Sequence, residues 1–367
     1  MTVDPGVLPG LLLLGLEMLA LAVVGYIVAR VALRQPYAPL ALAQGLVIGP
    51  AIWGLVANFL FYPLPGPAGT VGSWLATLAF GAWLVWRTPN AWRMPPREVA
   101  VFAATVLVLF WVALAARQLL MTPDAPMRLG LAASIQAGSW PPAIPWSPWQ
   151  PVPYHYGAAL LAARLAPPVG PDLAFTTELL GAYAWTSLAM IIGTTIRQRG
   201  GWVGWLTLTP LILTAGAWTL VFDVEPVVLR LPVPTSFPEL GAGTSLGNVY
   251  WPASVWPWTL PEPQATPPNV FKPLFTLGYA LAFIVLERVT AHRQPSPLLM
   301  PLTLAGLVGF LGLLEEAVAA VTLGVWAMVE AARVIAARPR RIRDLEMAKG
   351  ATLGLIAATL LLVLGGG

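Results

Sequence analysis

Asp124, His155 and Glu315 are the side chains whose type and setting most invite chemistry, each standing in or beside a stretch that is otherwise almost wholly apolar. Asp124 directly follows a long apolar run and precedes Arg128 by four residues. At that spacing its carboxylate can cap a short helix and pair with Arg128 one turn on. It can also take a proton from an attacking hydroxyl, and the two roles can coexist. His155, between Tyr154 and Tyr156, reads as an acid–base group or as a hydrogen-bonded histidine at an interface. Glu315 and Glu316 are neighbours, so on a helix they point in different directions and only one can face a cavity; a solvated turn is the plainer reading. Glu17 and Glu178 fall inside apolar runs, where a charge is costly and marks a candidate site, although snorkelling or a hydrogen bond to a neighbouring helix accounts for each.

Other chemistry is excluded by what the sequence lacks. Cysteine is absent, which removes thiol nucleophiles, thiolate metal sites and disulfides. There is no Gly-rich phosphate loop, Ser-His-Asp arrangement or nucleic-acid module. His155 and His292 fall on opposite sides of the membrane in the topology below, so they cannot share a metal; no metal site is assigned. A divalent cation held by Asp124 with Glu225 or Glu239 is left open as a cofactor, although no spacing supports it.

The elements that carry these residues follow from composition. Of 367 residues, 57% are hydrophobic and 10% charged, too few charges to cover a soluble surface, which usually needs about 25%. The net charge of +4 sits in short loops between apolar runs, which reads as a positive-inside signal and not as a nucleic-acid surface. The fold class expected is therefore an all-α integral membrane protein in contact with membrane lipids. Spans are placed near Leu8 to Val31, Pro39 to Phe61, Thr70 to Trp86, Val99 to Leu119, Leu173 to Ile196 and Trp202 to Phe222. Four more lie near Pro273 to Val289, Leu298 to Leu314, Ala317 to Ile335 and Ala351 to Leu364. The first run has neither a basic leader nor an Ala-x-Ala site and reads as a retained span.

Every second loop is basic: Arg30 and Arg34, then Arg87, Arg93 and Arg97, then Arg197 and Arg199, then Arg288, His292 and Arg293, then Arg338, Arg340, Arg341 and Arg343. About ten spans with both termini non-cytoplasmic satisfy the positive-inside rule throughout. That count needs a tight hairpin at Gly312 to Glu316, which puts Glu315 and Glu316 at the outer face. It also puts two long Pro- and Trp-rich segments outside, residues 121–172 and 223–272. In the second, Tyr250 to Trp258 offers aromatic walls for a ligand or, equally, anchors at the interface.

Within the first segment Asp124 begins a short helix that stops at Gly138, with Met127, Leu131 and Ile135 on one side. After a Pro-rich turn, Tyr154 to Leu165 reads as a second short helix with Leu160, Leu161 and Leu165 as its apolar positions. Both are expected to lie along the membrane as amphipathic helices.

An Asp just outside a span, a short helix, the turn Gly138-Ser-Trp-Pro-Pro142 and the segment Tyr154-His-Tyr-Gly157 together resemble the GT-C superfamily of polytopic glycosyltransferases. The resemblance covers about residues 99–196. It implies a polyprenyl-phosphate sugar as donor, transfer at the non-cytoplasmic face, and Asp124 as the acidic residue that acts as base or orients the acceptor. Arg128, Arg230 or Lys272 would meet the departing phosphate, with Tyr154, His155 and Glu315 on the substrate side. The division of the chain that follows is residues 1–98 as three extra spans, 99–289 as a GT-C-like core, and 290–367 as C-terminal spans. The expected location is a bacterial inner (plasma) membrane. The rival expectation is a non-catalytic GT-C-like scaffold or accessory subunit, bound to other membrane subunits in a larger complex.

Overall fold

A computed structural model of the chain describes residues 8–89, 96–116, 125–144, 147–151, 156–165, 173–214, 273–291, 298–337 and 342–364. Over these residues the protein is helical apart from one small hairpin. The order is α1 (Leu8–Val31), α2 (Ala38–Leu60), α3 (Pro67–Arg87), α4 (Pro96–Ala116), α5 (Ala125–Gln136), β1 (Ala143–Ile144), β2 (Ser147–Pro151), α6 (Gly157–Leu165) and α7 (Leu173–Thr214). Then come α8 (Pro273–Ala291), α9 (Leu299–Leu314), α10 (Glu316–Ala337) and α11 (Ile342–Leu364). α7 turns sharply at Gly201, where φ is 62°, a value that glycine adopts without strain.

Among the described residues, five helical stretches are long and apolar enough to cross a membrane: Leu8–Val31, Ala38–Leu60, Pro67–Arg87, Phe175–Gly204 and Glu316–Ile335. Leu299–Leu314 and Lys349–Leu361 are shorter apolar helices. Large apolar side chains also cover the outward faces, among them Leu16, Leu75, Trp111, Val321 and Ile335, each more than 60% exposed. An apolar exterior wrapped around an apolar interior fits lipid as the surrounding solvent. Many hydroxyl groups inside these helices satisfy themselves, although those of Tyr26, Thr77 and Thr195 do not. Ser73, Thr186, Ser187, Thr194, Thr303 and Thr322 each donate to the carbonyl four residues earlier, so none needs water.

α2 is the axis of the bundle and packs on α1, α3, α4, α6, α7, α8 and α9. Its closest neighbour is α1. A Cβ on Gly49 would stand 1.9 Å from the Leu21 carbonyl oxygen, and one on Gly25 2.2 Å from the Gly45 oxygen, so the backbones meet with no side chain between them. Pro50 sits inside α2 and cannot donate to the Leu46 carbonyl. The Tyr183 hydroxyl on α7 donates to that oxygen instead, at 2.5 Å. Pro50, Tyr183, Met18, Leu161 and Leu277 line an apolar crevice at the same level.

The break between α9 and α10 falls on Glu315, whose backbone is extended (φ −165°, ψ 99°), so the segment from Leu298 to Ile335 is two helices and not one.

Candidate functional site

At the end of the bundle where α2 finishes, α6, with α5 beside it, packs on α2, α7 and α9. α5 closes as the sequence suggests: Gly138 takes φ 97°, its N–H donates to Ile135, and Ser139 donates to Ser134. This paired arrangement ends a helix without orphaned carbonyls. Leu131 and Ile135, expected on one face, are fully buried there. The hairpin of β1 and β2 follows, an addition to the Pro-rich turn that the sequence predicts. α6 departs further from expectation. An interfacial amphipathic helix shows one face to water, whereas eight of its nine residues are buried, against α2, α5, α7, α8 and α9. Its small residues allow this. A Cβ on Gly157 would stand 2.9 Å from the Leu313 oxygen, so α6 begins in backbone contact with the last turn of α9.

Glu315 lies just beyond that turn. It is 8% exposed and stands over Gly278 of α8, 3.8 Å from where a Cβ would be, while Glu316 is exposed in the first turn of α10. The two neighbours therefore do face differently, with Glu315 inward and Glu316 positioned to favour the helix dipole.

Beside it an aromatic cluster joins α2 to the segment before and within α6. Trp140 packs edge-on against Phe61 (5.2 Å between centroids), Tyr62 (5.9 Å) and Tyr156 (5.7 Å). The Tyr156 hydroxyl donates to Asn58 Oδ1 at 2.7 Å. Burial pushes the Tyr156 phenol well above its ordinary range, with Tyr62 adding to the shift, so it remains a donor at any physiological pH. Arg164, in the last turn of α6, lays its guanidinium over Phe61 with Cζ 4.4 Å from the ring centroid. Burial lowers its affinity for the proton.

Of the residues singled out by sequence, Glu315 is buried at this end of the bundle. Arg128 lies on α5 and Glu178 on α7, with side chains outside the described residues; Asp124, Tyr154, His155, Arg230 and Lys272 lie outside them altogether. Glu225 and Glu239 do too. Among the described residues, no three His, Asp or Glu side chains come together in a way that could hold a metal. Sequence reasoning did not single out Asn58, Phe61, Trp140 or Arg164. Two signals were there: an amide near the end of an apolar span, and one cation in the otherwise apolar run Gly157 to Leu165.

A second polar group occupies the opposite end. Gln35 and Gln44 both donate to Glu287, which also pairs with Arg288, and Arg288 reaches the Leu33 carbonyl. Arg333 of α10 binds Glu330 and the Val289 carbonyl. Here each charge has its counter-charge, as a structural network requires.

Compared with protein-family models, with curated proteins and with solved structures, the chain matches none.

Proposed function

We propose that the chain is a GT-C-like glycosyltransferase that moves a sugar from a polyprenyl-phosphate donor to an acceptor at the non-cytoplasmic face of a bacterial inner membrane. The observation that carries this reading is the unit after the fourth helix. A short helix closed by glycine, a Pro-rich hairpin and a second short helix are docked on the end of the bundle where Glu315 is buried. Asp124 is the residue that immediately precedes α5 in the sequence.

In this reading the chain spans the membrane ten times with both termini outside, residues 99–289 form the core, and residues 121–172 and 223–272 are external. The acceptor hydroxyl oxygen bonds to the anomeric carbon as the bond from that carbon to the phosphate oxygen breaks. The hydroxyl proton goes to Asp124 and the phosphate departs as an anion toward Arg128, Arg230 or Lys272. Tyr154 and His155 stand on the substrate side, and Glu315 provides a second acidic wall. A divalent cation is not needed for this scheme.

Asp124→Asn tests it. The amide keeps the size and the helix-capping capacity but removes the base, so sugar transfer falls by roughly 10²-fold or more while the protein remains folded. Unchanged transfer by a folded variant would remove Asp124 from the role of base, whereas no transfer by the folded wild type would favour the rival reading, a non-catalytic scaffold or accessory subunit of a larger membrane complex.

A further inference from the structure

The cluster around Phe61 contains an imbalance of one sign. Asn58 Nδ2, Trp140 Nε1, and both Nε and Nη2 of Arg164 are sealed from solvent and have no hydrogen-bond partner among the described residues. All are N–H donors. Among the described residues, the Asn58 Oδ1 acceptor is already taken by Tyr156. These donors belong to one small region. Asn58 lies in the last turn of α2 and Phe61 caps it three residues on, on the same side, Arg164 lies on the Phe61 ring, and Trp140 meets Phe61 and Tyr156 at their edges.

An unpaired buried donor is costly, the more so where, as at Nε and Nη2 of Arg164, it belongs to a cation. The stacking of Arg164 on Phe61 recovers only part of that cost, since it satisfies neither Nε nor Nη2. The missing component must therefore be rich in acceptors, must be negative to match the one cation, and must be small enough to sit among aromatic edges. A tetrahedral phosphate group meets all three conditions, and the Nε and Nη2 pair of an arginine presents two parallel donors to it.

We infer that Arg164, Asn58 and Trp140 form a phosphate-binding site between the end of α2 and the last turn of α6. The site is independent of the glycosyltransferase reading, because none of these residues takes part in it. Its phosphate is either the headgroup of a phospholipid reaching in from the surrounding lipid or a free ion from water.

The test uses the full chain in detergent, stripped of lipid, and compares wild type with Arg164→Gln. Its control is Arg87→Gln, an arginine exposed at the end of α3. Melting is measured in inorganic phosphate against chloride at equal ionic strength, and after adding phosphatidylglycerol against a phosphate-free glycosyl diacylglycerol. Retained lipid is read by native mass spectrometry. Wild type and Arg87→Gln should gain a few degrees with phosphate, with phosphatidylglycerol, or with both, and Arg164→Gln should gain nothing. A gain with phosphatidylglycerol alone identifies a lipid headgroup; a gain with inorganic phosphate identifies a site open to the free ion. If Arg164→Gln does not fold, Arg164→Lys replaces it. Lysine keeps the charge without the paired donors, so its gain should be smaller than that of wild type. Equal gains in wild type and in the Arg164 variant, or no gain in wild type from either source, would overturn the site.

Discussion

Tyr183 shows how one side chain can repair a backbone defect that the sequence itself creates. Pro50 leaves the Leu46 carbonyl without its helical donor in the middle of an apolar helix, and the Tyr183 hydroxyl supplies the missing bond. Tyr183→Phe should therefore lower the melting temperature, at a cost on the order of 1 kcal/mol. Pro50→Ala returns an N–H to the same carbonyl, so in that background the Tyr183→Phe cost should shrink. Equal costs in both backgrounds, measured as a double-mutant cycle, would mean that the hydroxyl does not act through Leu46. Relations of this kind were not legible in the sequence. Tyr183 and Leu46 are separated by 137 residues, Tyr156 and Asn58 by 98, and Gln44 and Glu287 by 243, and no periodicity reports on such pairs. Glu315 could be read, because a charge where two apolar runs meet needs no partner to be noticed.

Among the elements, the helices were legible and their packing was not. Apolar runs punctuated by Pro, Gly and Arg give helix positions directly: helices stand at least in part at the ten places expected for spans, and five among the described residues are long and apolar enough to cross a membrane. The stop of α5 at Gly138 was equally readable, since the cap that forms there depends on a local left-handed glycine. α6 misled because its composition suits either an interfacial helix or a buried one, and its neighbours decide which. The contact of α1 with α2 had a signal that went unread, Gly45 and Gly49 four residues apart on one face. Gly49→Ala should force α1 and α2 apart, since its Cβ falls on the Leu21 carbonyl, at a cost of roughly 1 to 3 kcal/mol or more. Gly15→Ala in α1 meets nothing within 4 Å and should be neutral or slightly stabilising. Similar losses for the two variants in a thermal melt would show that helix propensity, and not close approach, governs these glycines.

Across the whole molecule, the two polar groups on α2 bear on its orientation. Gln44 and Asn58 are 14 residues apart, or about 21 Å along a helix, most of the thickness of a hydrocarbon core of about 30 Å. The first belongs to the network of Glu287, Arg288 and Arg333, beside loops rich in arginine. The second belongs to the cluster joined to α6, beside loops poor in positive charge. In the proposed topology, the positive-inside rule puts the Gln44 end in the cytoplasm and the Asn58 end outside. Because the chain has no cysteine, single cysteines can be introduced against a silent background. Residues 93, 199 and 341 lie in basic loops and should stay unlabelled by an impermeant thiol reagent in intact cells, whereas Ser147 and Thr244 should label. Position 341 is the most discriminating of the five. If α9 and α10 fold back at Glu315, the Arg338 to Arg343 cluster is inside; if only one of them crosses, it is outside. External labelling at 341 would thus reverse the C-terminal part of the topology, and it would leave Glu315 without a route to the face on which Asp124 is proposed to act.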